Sequence, residues 1–286
     1  MASNLFSISG RVMLVSGGSS GIGSYAAKGL AEHGAARVYI VGRRADKLEE
    51  LSKAAPEVLI PIVGDVSTIE GCKNIAAAFV EKEKTAGVAE NDLSLDLLFS
   101  NAGVAVGEGS WDFDNTSPER IRDALLRASD QDWAKEFAIN SSAMQWLSAA
   151  LLPYLAKAAQ SNDGFREGRG CIVVNTSISA FYISATVPLH MYSASKAAAE
   201  SISRNLASKF AKLGVRVNTV AIGNIPSELN SIDDPNSFVN QSKVPIGRLG
   251  AGDDIVGTLV YLASKAGSYV AGATITLDGG ILIASH

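Results

Sequence analysis

Short apolar runs rich in β-branched residues alternate along the chain with longer stretches of helical period. Because parallel strands must be joined by crossovers, this alternation predicts an α/β fold, a doubly wound parallel sheet covered by helices on both faces. No Pro/Ser-rich linker or charge block divides the 286 residues, so we expect a single domain over 1–286. The strands are predicted near 11–16, 37–41, 58–63, 95–100, 171–176, 215–220 and 273–277, and the helices near 21–33, 45–55, 68–85, 118–157, 190–212 and 253–265.

The loop after the first strand reads SGGSSGIG over 16–23, and a predicted helix begins at its end. Glycines let the backbone turn tightly and approach a pyrophosphate, while N–H groups at a helix N-terminus carry partial positive charge. Ligands of such sheets bind beyond the carboxyl ends of the strands, which favours a dinucleotide site here over an ordinary glycine turn. The residues predicted to bind the dinucleotide in this loop are Gly17, Ser19, Ser20, Gly21, Ile22 and Gly23.

The second strand ends in Arg43 and Arg44, where a nucleotide fold meets the adenosine ribose. An acid at this place would repel a 2′-phosphate, whereas two guanidinium groups can bind it, so the sequence favours NADP over NAD. The alternative is that both arginines are solvated at a helix N-terminus, a position where the helix dipole disfavours cations. Of the two, Arg43 is the stronger candidate.

The ends of the third and fourth strands add further cofactor candidates. Asp65, followed by Val66, is placed to accept a hydrogen bond from the adenine amino group. Asn101 is followed by Ala102 and Gly103, whose small side chains let the backbone lie against the adenosine. Each motif alone is equally typical of turn chemistry, but their positions at successive strand ends favour a cofactor site.

Tyr192 and Lys196 stand four residues apart at the start of a predicted helix, so they lie side by side on one face. A phenol with a pKa of about 10 is a poor acid–base group at neutral pH, and a neighbouring ammonium favours the phenolate. We therefore expect Lys196 to lower the pKa of Tyr192. The alternative is a surface pair of little consequence.

Together these motifs resemble the short-chain dehydrogenase/reductase family over nearly the whole chain. The glycine loop is similar to Thr-Gly-x-x-x-Gly-x-Gly with Ser16 in the threonine place, and the motifs at 101–103 and 192–196 match outright. Segments at 133–140, 215–218, 245–250 and 277–280 resemble further family signatures in the same order. The resemblance implies a Rossmann-type fold, an NADP(H)-dependent carbonyl reductase similar to 3-oxoacyl carrier protein reductases and fungal polyketide reductases, and a homodimer or homotetramer.

The resemblance also implies roles for individual residues. Tyr192 would donate a proton to the carbonyl oxygen, and Lys196 would hydrogen-bond the nicotinamide ribose. Asn140 would anchor a water that links Lys196 to solvent. In the loop after the sixth strand, Ile225 and Ser227 would lie near the nicotinamide, with Ser227 in the place of a family threonine.

Two serines compete for the role of holding the substrate carbonyl. Counting from the fifth strand places Ser177 at the family position, whereas counting back 13 residues from Tyr192 favours Ser179. Because a loop absorbs insertions more easily than a strand end does, we choose Ser177.

Three features depart from the compact family pattern or lie outside its motifs. Ile222 stands where the family has a proline, which affects loop stiffness. The segment 104–132 is longer than usual and carries Trp111 and Phe113; it would cap the pocket, pack against a partner subunit or form a surface insertion. A substrate lid is expected near 224–250.

The residues between the serine and the tyrosine, and those of the lid, are largely apolar. A pocket built from them would suit an apolar or aromatic ketone, although core packing explains them equally well. His190 is interpreted as a pocket-lining or structural residue rather than an acid–base group. The apolar candidates are Ile178, Phe181, Tyr182, Ile183, Val187, Leu189, Met191, Leu229, Ile232 and Phe238.

A net charge of −4 and a pI near 5.5 argue against nucleic-acid or anionic-membrane partners. Cys72 and Cys171 have no metal-ligand spacing, so no metal site is expected, and a reducing, cytoplasmic location is favoured. The expected partner is a small-molecule carbonyl substrate. A non-redox use of the same scaffold, as an epimerase, a dehydratase or an NADP-binding protein, stays open.

Overall fold

Seven parallel strands form one sheet in the order β3-β2-β1-β4-β5-β6-β7. The computed structural model describes residues 4–106, 116–183, 190–233, 239 and 243–284. In register, Val15 of β1 pairs with Ile40 of β2 on one side and with Phe99 of β4 on the other. The doubly wound parallel sheet predicted from the sequence is therefore confirmed. The strands are β1 (Val12–Ser16), β2 (Arg37–Gly42), β3 (Leu59–Val63), β4 (Leu97–Ser100), β5 (Cys171–Asn175), β6 (Arg216–Ile222) and β7 (Thr274–Leu277).

Helices connect the strands, and the predicted stretch 118–157 is the one that differs most from expectation. It contains two short helices, a π-helical turn over Ala138–Ser142 and one long helix, rather than continuous helix. The break has a local cause, because the Ser129 side chain accepts from the Asp132 N–H in a capping box and begins a new helix there. The helices are α1 (Gly21–Glu32), α2 (Ala45–Ser52), α3 (Ile69–Thr85), α4 (Pro118–Leu125), α5 (Asp130–Phe137), α6 (Ala143–Gln160), α7 (His190–Phe210), α8 (Gly252–Ala263) and α9 (Ile281–Ala284).

The alternating side chains of the strands build a separate core on each face of the sheet. Met13 and Val15 of β1 pack in the cluster that includes α1 and α8, whereas Val12 and Leu14 pack in the cluster that includes α3, α6 and α7. Because side chains of a strand alternate between faces, a strand buried on both sides must be apolar at every position. This burial explains why β1 and β5 are short unbroken apolar runs in the sequence.

A buried carboxylate ties α7 to the carboxyl half of the sheet. Glu200 is 2% exposed and accepts hydrogen bonds from the hydroxyls of Thr176, Thr219 and Thr274 at 2.5, 2.9 and 2.8 Å. These threonines come from the end of β5 and from β6 and β7. One charged side chain therefore fixes the helix that carries Tyr192 against three strands.

Within the described residues, no helix is long and apolar enough to cross a membrane. Within the same residues, no cluster of histidine, cysteine and acidic side chains could hold a metal ion.

Replacing Glu200 by Ala is expected to destabilise the protein, because three hydroxyls, two of them on buried threonines, lose a charged acceptor. We expect the free energy of unfolding to fall by roughly 3 kcal/mol. Urea denaturation followed by circular dichroism measures this, with Glu81→Ala on the exposed face of α3 as a matched control. Equal unfolding midpoints for Glu200→Ala and Glu81→Ala would contradict the structural role.

Candidate active site

A long cleft runs along the carboxyl edge of the sheet and takes residues from the ends of β1 to β6. Its volume of about 1190 Å³ is slightly above the ~300–1000 Å³ typical of a small-molecule pocket. Every predicted cofactor-binding and catalytic residue except Gly23 and Asn140 lines this cleft. Those that do so are Gly17, Ser19, Ser20, Gly21, Ile22, Arg43, Arg44, Asp65, Val66, Asn101, Ala102, Gly103, Ser177, Tyr192, Lys196, Ile225 and Ser227.

The glycine loop at one end of the cleft is tight enough to demand glycine. Gly17 has a φ of +65°, and a Cβ there would lie 2.8 Å from the Cα of Ala102. A Cβ on Gly23 would lie 2.1 Å from the carbonyl oxygen of Gly17, so any side chain would push α1 away from the loop. The loop therefore brings its backbone against the start of α1, the arrangement that pyrophosphate binding requires.

Arg44 forms a cluster with Ser19 and Ser20 of the glycine loop, and this cluster already holds an anion. The Arg44 guanidinium donates to Ser19 Oγ at 3.3 Å, to Ser20 Oγ at 2.8 Å and to Glu228 Oε2 at 3.0 Å. Hydrogen bonds from Arg44 and Ser20 lower the pKa of Glu228. Arg43, which the sequence ranked first, also lines the cleft, but the structure gives Arg44 the contacts with both serines.

Asp65 and Val66 line the cleft beyond the end of β3, as expected. Asp65 Oδ1 accepts from the backbone N–H of Ser67 at 2.9 Å, and the rest of its carboxylate is exposed to the cleft. Val66 is 8% exposed. Asp65 therefore offers a polar group and Val66 an apolar surface next to each other, which are the two features that an adenine ring would need.

A chain of buried hydrogen bonds joins the glycine loop to Lys196. Ser16 Oγ accepts from the N–H of Asn101 at 3.0 Å, and Asn101 Oδ1 accepts from Asn175 Nδ2 at 2.8 Å. The carbonyl of Asn175 in turn accepts from Lys196 Nζ at 3.0 Å. Asn175 was not singled out from the sequence, although its place as the last residue of β5 was a signal that could have found it.

Tyr192, Ser177 and Lys196 come together on one wall of the cleft. The Ser177 side chain hydrogen-bonds the Tyr192 phenol, and Lys196 Nζ lies 5.7 Å from the centre of the phenol ring. Ser179, the competing serine, donates its backbone N–H to Ser177 Oγ at 3.1 Å. The structure thus brings Ser177 to the phenol, the arrangement expected from the register of β5.

Burial controls the ionisation of this pair. Desolvation raises the pKa of Tyr192 to about 12; a hydrogen bond from Ser177 opposes the shift and the negative charge of Glu136 adds to it. Desolvation lowers the pKa of Lys196 to about 8, against the field of Glu136. The pKa of Tyr192 is therefore raised, not lowered as the sequence led us to expect, because the loss of hydration on burial outweighs the hydrogen bond from Ser177.

Asn140 lies in the π-helical turn, where its side chain connects three segments. Its Oδ1 accepts from the Val104 N–H at 2.9 Å, and its Nδ2 donates to the Val104 carbonyl at 2.8 Å and to Ser195 Oγ at 3.0 Å. Isolated π-turns often mark functional positions in helices. Ser195 and Glu136, both fully buried beside Asn140, were not found from the sequence.

The loop after β6 lies across the glycine loop. A Cβ on Gly21 would lie 3.0 Å from Ser227 Cβ, while the Ile225 side chain is 3% exposed and packs in the core. The expected lid at 224–250 is described except for 234–238 and 240–242, so Phe238 lies outside the described residues. Trp111 and Phe113 of the 104–132 segment also lie outside them, as do Val187 and Leu189.

The far end of the cleft is lined by apolar and aromatic side chains. Tyr182, Ile183 and Leu229 line it, and their side chains are exposed to it. The ring of His190 lies 6.4 Å from that of Trp133 on α5, consistent with its interpretation as a pocket-lining residue.

Comparison with known proteins supports this description. Residues 17–282 match the family model described as enoyl-(acyl carrier protein) reductase. The chain is 32% identical to the short-chain dehydrogenase/reductase PhomF of Diaporthe leptostromiformis, covering 99% of this chain and 94% of that protein. It is 30% identical to the 3-oxoacyl-acyl-carrier-protein reductase of rhamnolipid biosynthesis from Pseudomonas aeruginosa, covering 96% of this chain and 97% of that protein.

Solved structures agree. The active-site complex of Pseudomonas aeruginosa RhlG with NADP superposes with a TM-score of 0.78 at 28% identity, over 98% of this chain and 99% of that one. A short-chain dehydrogenase from Burkholderia cenocepacia in complex with NADP gives 0.76 at 26% identity, over 96% and 99%. The chain therefore belongs to the short-chain dehydrogenase/reductase family of oxidoreductases.

Proposed function

We propose that this protein is an NADPH-dependent reductase that transfers hydride between NADP(H) and a carbonyl or secondary alcohol. The observation that carries the proposal is the contact between Ser177 and the Tyr192 phenol, on the cleft wall that also holds Lys196. A hydroxyl and a phenol that meet at one point can both bind a single carbonyl oxygen. A protein that only binds a nucleotide has no need of this pair.

The other end of the cleft fits NADP. When bound, the nicotinamide supplies the hydride, and the protein supplies binding and orientation. The glycine loop and the start of α1 would hold the pyrophosphate, and Asp65 would accept from the adenine amino group. The Glu228 carboxylate on Arg44 and Ser20 supports the assignment of the 2′-phosphate to this cluster, because these two donors already hold an anion.

Tyr192 is the proposed proton donor. With its pKa raised to about 12, the phenol is protonated at neutral pH, which is the form that gives a proton to a carbonyl oxygen. Ser177 would hold the same oxygen and polarise the carbonyl. Lys196 would bind the nicotinamide ribose, and Asn140 would anchor the water that returns a proton through Lys196.

An apolar or aromatic ketone is the proposed substrate class. Support comes from Tyr182, Ile183 and Leu229 at the far end of the cleft, where a small polar substrate would leave apolar surface uncovered. Among similar proteins, the Pseudomonas aeruginosa relative is named for a 3-oxoacyl substrate, and a Cereibacter sphaeroides relative for galactitol. A non-redox role is not favoured, since these relatives are named as dehydrogenases or reductases.

A cytoplasmic homodimer or homotetramer is the proposed state of assembly. The family resemblance supports the oligomer, and the two buried thiols, Cys72 and Cys171, suit a reducing compartment. Light scattering on the purified protein measures the oligomeric state directly.

Replacing Tyr192 by Phe is expected to abolish reduction while leaving NADPH binding intact. The phenol proton is lost but the ring stays, so we expect kcat to fall by at least about 100-fold. NADPH oxidation with a panel of apolar ketones, together with NADPH fluorescence titration, measures both quantities. Tyr269→Phe, a change on a fully exposed side chain, is the control. Parallel loss of cofactor binding would indicate a structural role for Tyr192 instead.

Replacing Arg44 by Gln is expected to weaken NADPH selectively. The Kd for NADPH should rise roughly 10- to 100-fold, because a charge-assisted hydrogen bond to the 2′-phosphate is lost, while the Kd for NADH should change little. Arg43→Gln should have the smaller effect, and Arg204→Gln on the exposed face of α7 serves as the control. Equal losses for NADPH and NADH in Arg44→Gln would refute the proposed 2′-phosphate site.

A further inference from the structure

Glu136 is a buried carboxylate directly behind the reacting side chains. It lies on α5, one turn before Asn140, and its exposure is 0%. Burying a carboxylate is costly unless hydrogen bonds and a nearby positive charge compensate for the lost hydration. A carboxylate at this position must therefore have partners that compensate for its burial.

The hydrogen bonds of Glu136 match an ionised carboxylate. Oε2 accepts from the backbone N–H of Val106 at 2.9 Å, and Oε1 accepts from Asn140 Nδ2 in a longer contact of 3.4 Å. Val106 donates its N–H to one carboxylate oxygen, and the Asn140 amide, whose two N–H hydrogens are directed to the Val104 carbonyl and Ser195 Oγ, lies against the other oxygen. Since the Val104 N–H donates to Asn140 Oδ1, the amide can point only its Nδ2 toward Glu136.

The negative charge of Glu136 acts on both reacting groups. It raises the pKa of Lys196, opposing the desolvation that lowers it, and it adds to the desolvation that raises the pKa of Tyr192. In both cases the charge favours the protonated form. A site in which the ammonium and the phenol both keep their protons is ready to give a proton to a carbonyl, and poorly prepared to take one from an alcohol.

The other groups around Lys196 do not supply this charge. Among the described residues, those of the β4 and β5 ends that line the cleft beside it, Asn101, Asn175 and Ser177, are neutral. On α7 itself, Tyr192 is the reacting phenol and His190 lies against Trp133 of α5. Glu200, one turn further along the helix, directs its carboxylate to the three threonines on the sheet.

We propose that Glu136 is a positioning residue, whose carboxylate orients the Asn140 amide and provides the counter-charge for the Lys196 ammonium, so that the site favours carbonyl reduction. The electrostatic part rests on the burial of Glu136 and on its contact with Asn140, whose Oδ1 lies with Lys196 Nζ beside Gly103. The preference for reduction rests on the proposed function.

The ionisation of Lys196 tests the electrostatic part without any substrate. The full-length protein is labelled with 13C at lysine Cε and titrated by NMR, and the Lys196 signal is identified by its loss in Lys196→Met. In Glu136→Gln the midpoint should fall by about one pH unit, because the opposing charge is removed. Glu136→Asp keeps the charge and should titrate close to wild type.

Two further variants guard against loss of folding as the explanation. Glu136→Met has nearly the same shape and removes the charge, although the Val106 N–H loses its acceptor. Circular dichroism checks that this variant is folded, and it should show the same fall in midpoint. Glu83→Gln is the matched control, since Glu83 is also a buried carboxylate but binds Arg37 and Tyr39 elsewhere in the protein. It should leave the Lys196 midpoint unchanged. An unchanged midpoint in Glu136→Gln and Glu136→Met would overturn the proposal.

The pH profile of turnover separates this inference from the proposed function. In Glu136→Gln the alkaline limb of kcat/KM for NADPH-dependent reduction should move to lower pH by the same amount as the NMR midpoint. A fall in kcat with an unmoved limb would mean that Glu136 only supports packing, which also overturns the inference. If wild type reduces no carbonyl at all, the proposed function fails, while the lysine titration still decides the role of Glu136.

Discussion

The ammonium of Lys196 is held at the carboxyl edge of the sheet with only 3% of the residue exposed, and the site is arranged around the cost of that burial. The Asn175 carbonyl accepts a hydrogen bond from one of its three N–H groups, and Glu136 provides negative charge from α5. Gly103 lies beside both groups, since a Cβ there would be 3.4 Å from Lys196 Nζ and from Asn140 Oδ1. The residues that accommodate this one charge come from the ends of two strands, from α5 and from α7.

Hydrogen bonds through the carboxyl edge fix the distance between the two ends of the cleft. Ser16, Asn101 and Asn175 link the loop that would hold the pyrophosphate to the helix that carries the reacting tyrosine. Buried polar chains of this kind are rigid because each member is costly to leave unpaired. The dinucleotide end and the reacting end of the cleft therefore keep one geometry, which hydride transfer needs more than tight binding.

Desolvation raises the pKa of the Tyr192 phenol, whereas a neighbouring lysine alone would lower it. A tyrosine tuned toward phenolate would suit proton removal from an alcohol, whereas a tyrosine with a raised pKa is a reservoir of protons for a carbonyl oxygen. The hydrogen bond from Ser177 lowers the pKa of Tyr192, and the negative charge of Glu136 raises it further. The balance between these two contacts and burial sets the pKa of the phenol, and so whether it carries its proton at a given pH.

The sequence by itself determined the sheet and the strand ends that carry the functional residues. Unbroken apolar runs such as Val12–Val15 mark strands buried on both faces, and the glycines at 17 and 23 mark places where the backbone leaves no room for a side chain. These signals depend only on residues that are neighbours in the chain, so they can be recognised in the sequence alone. Only the tertiary structure decided that the stretch 118–157 breaks at Ser129 and passes through a π-turn, that Arg44 contacts both serines, and that Glu136 faces Asn140. It also reversed the direction of the tyrosine pKa shift, because hydration lost on burial depends on every segment packed around the phenol and not on a spacing of four residues.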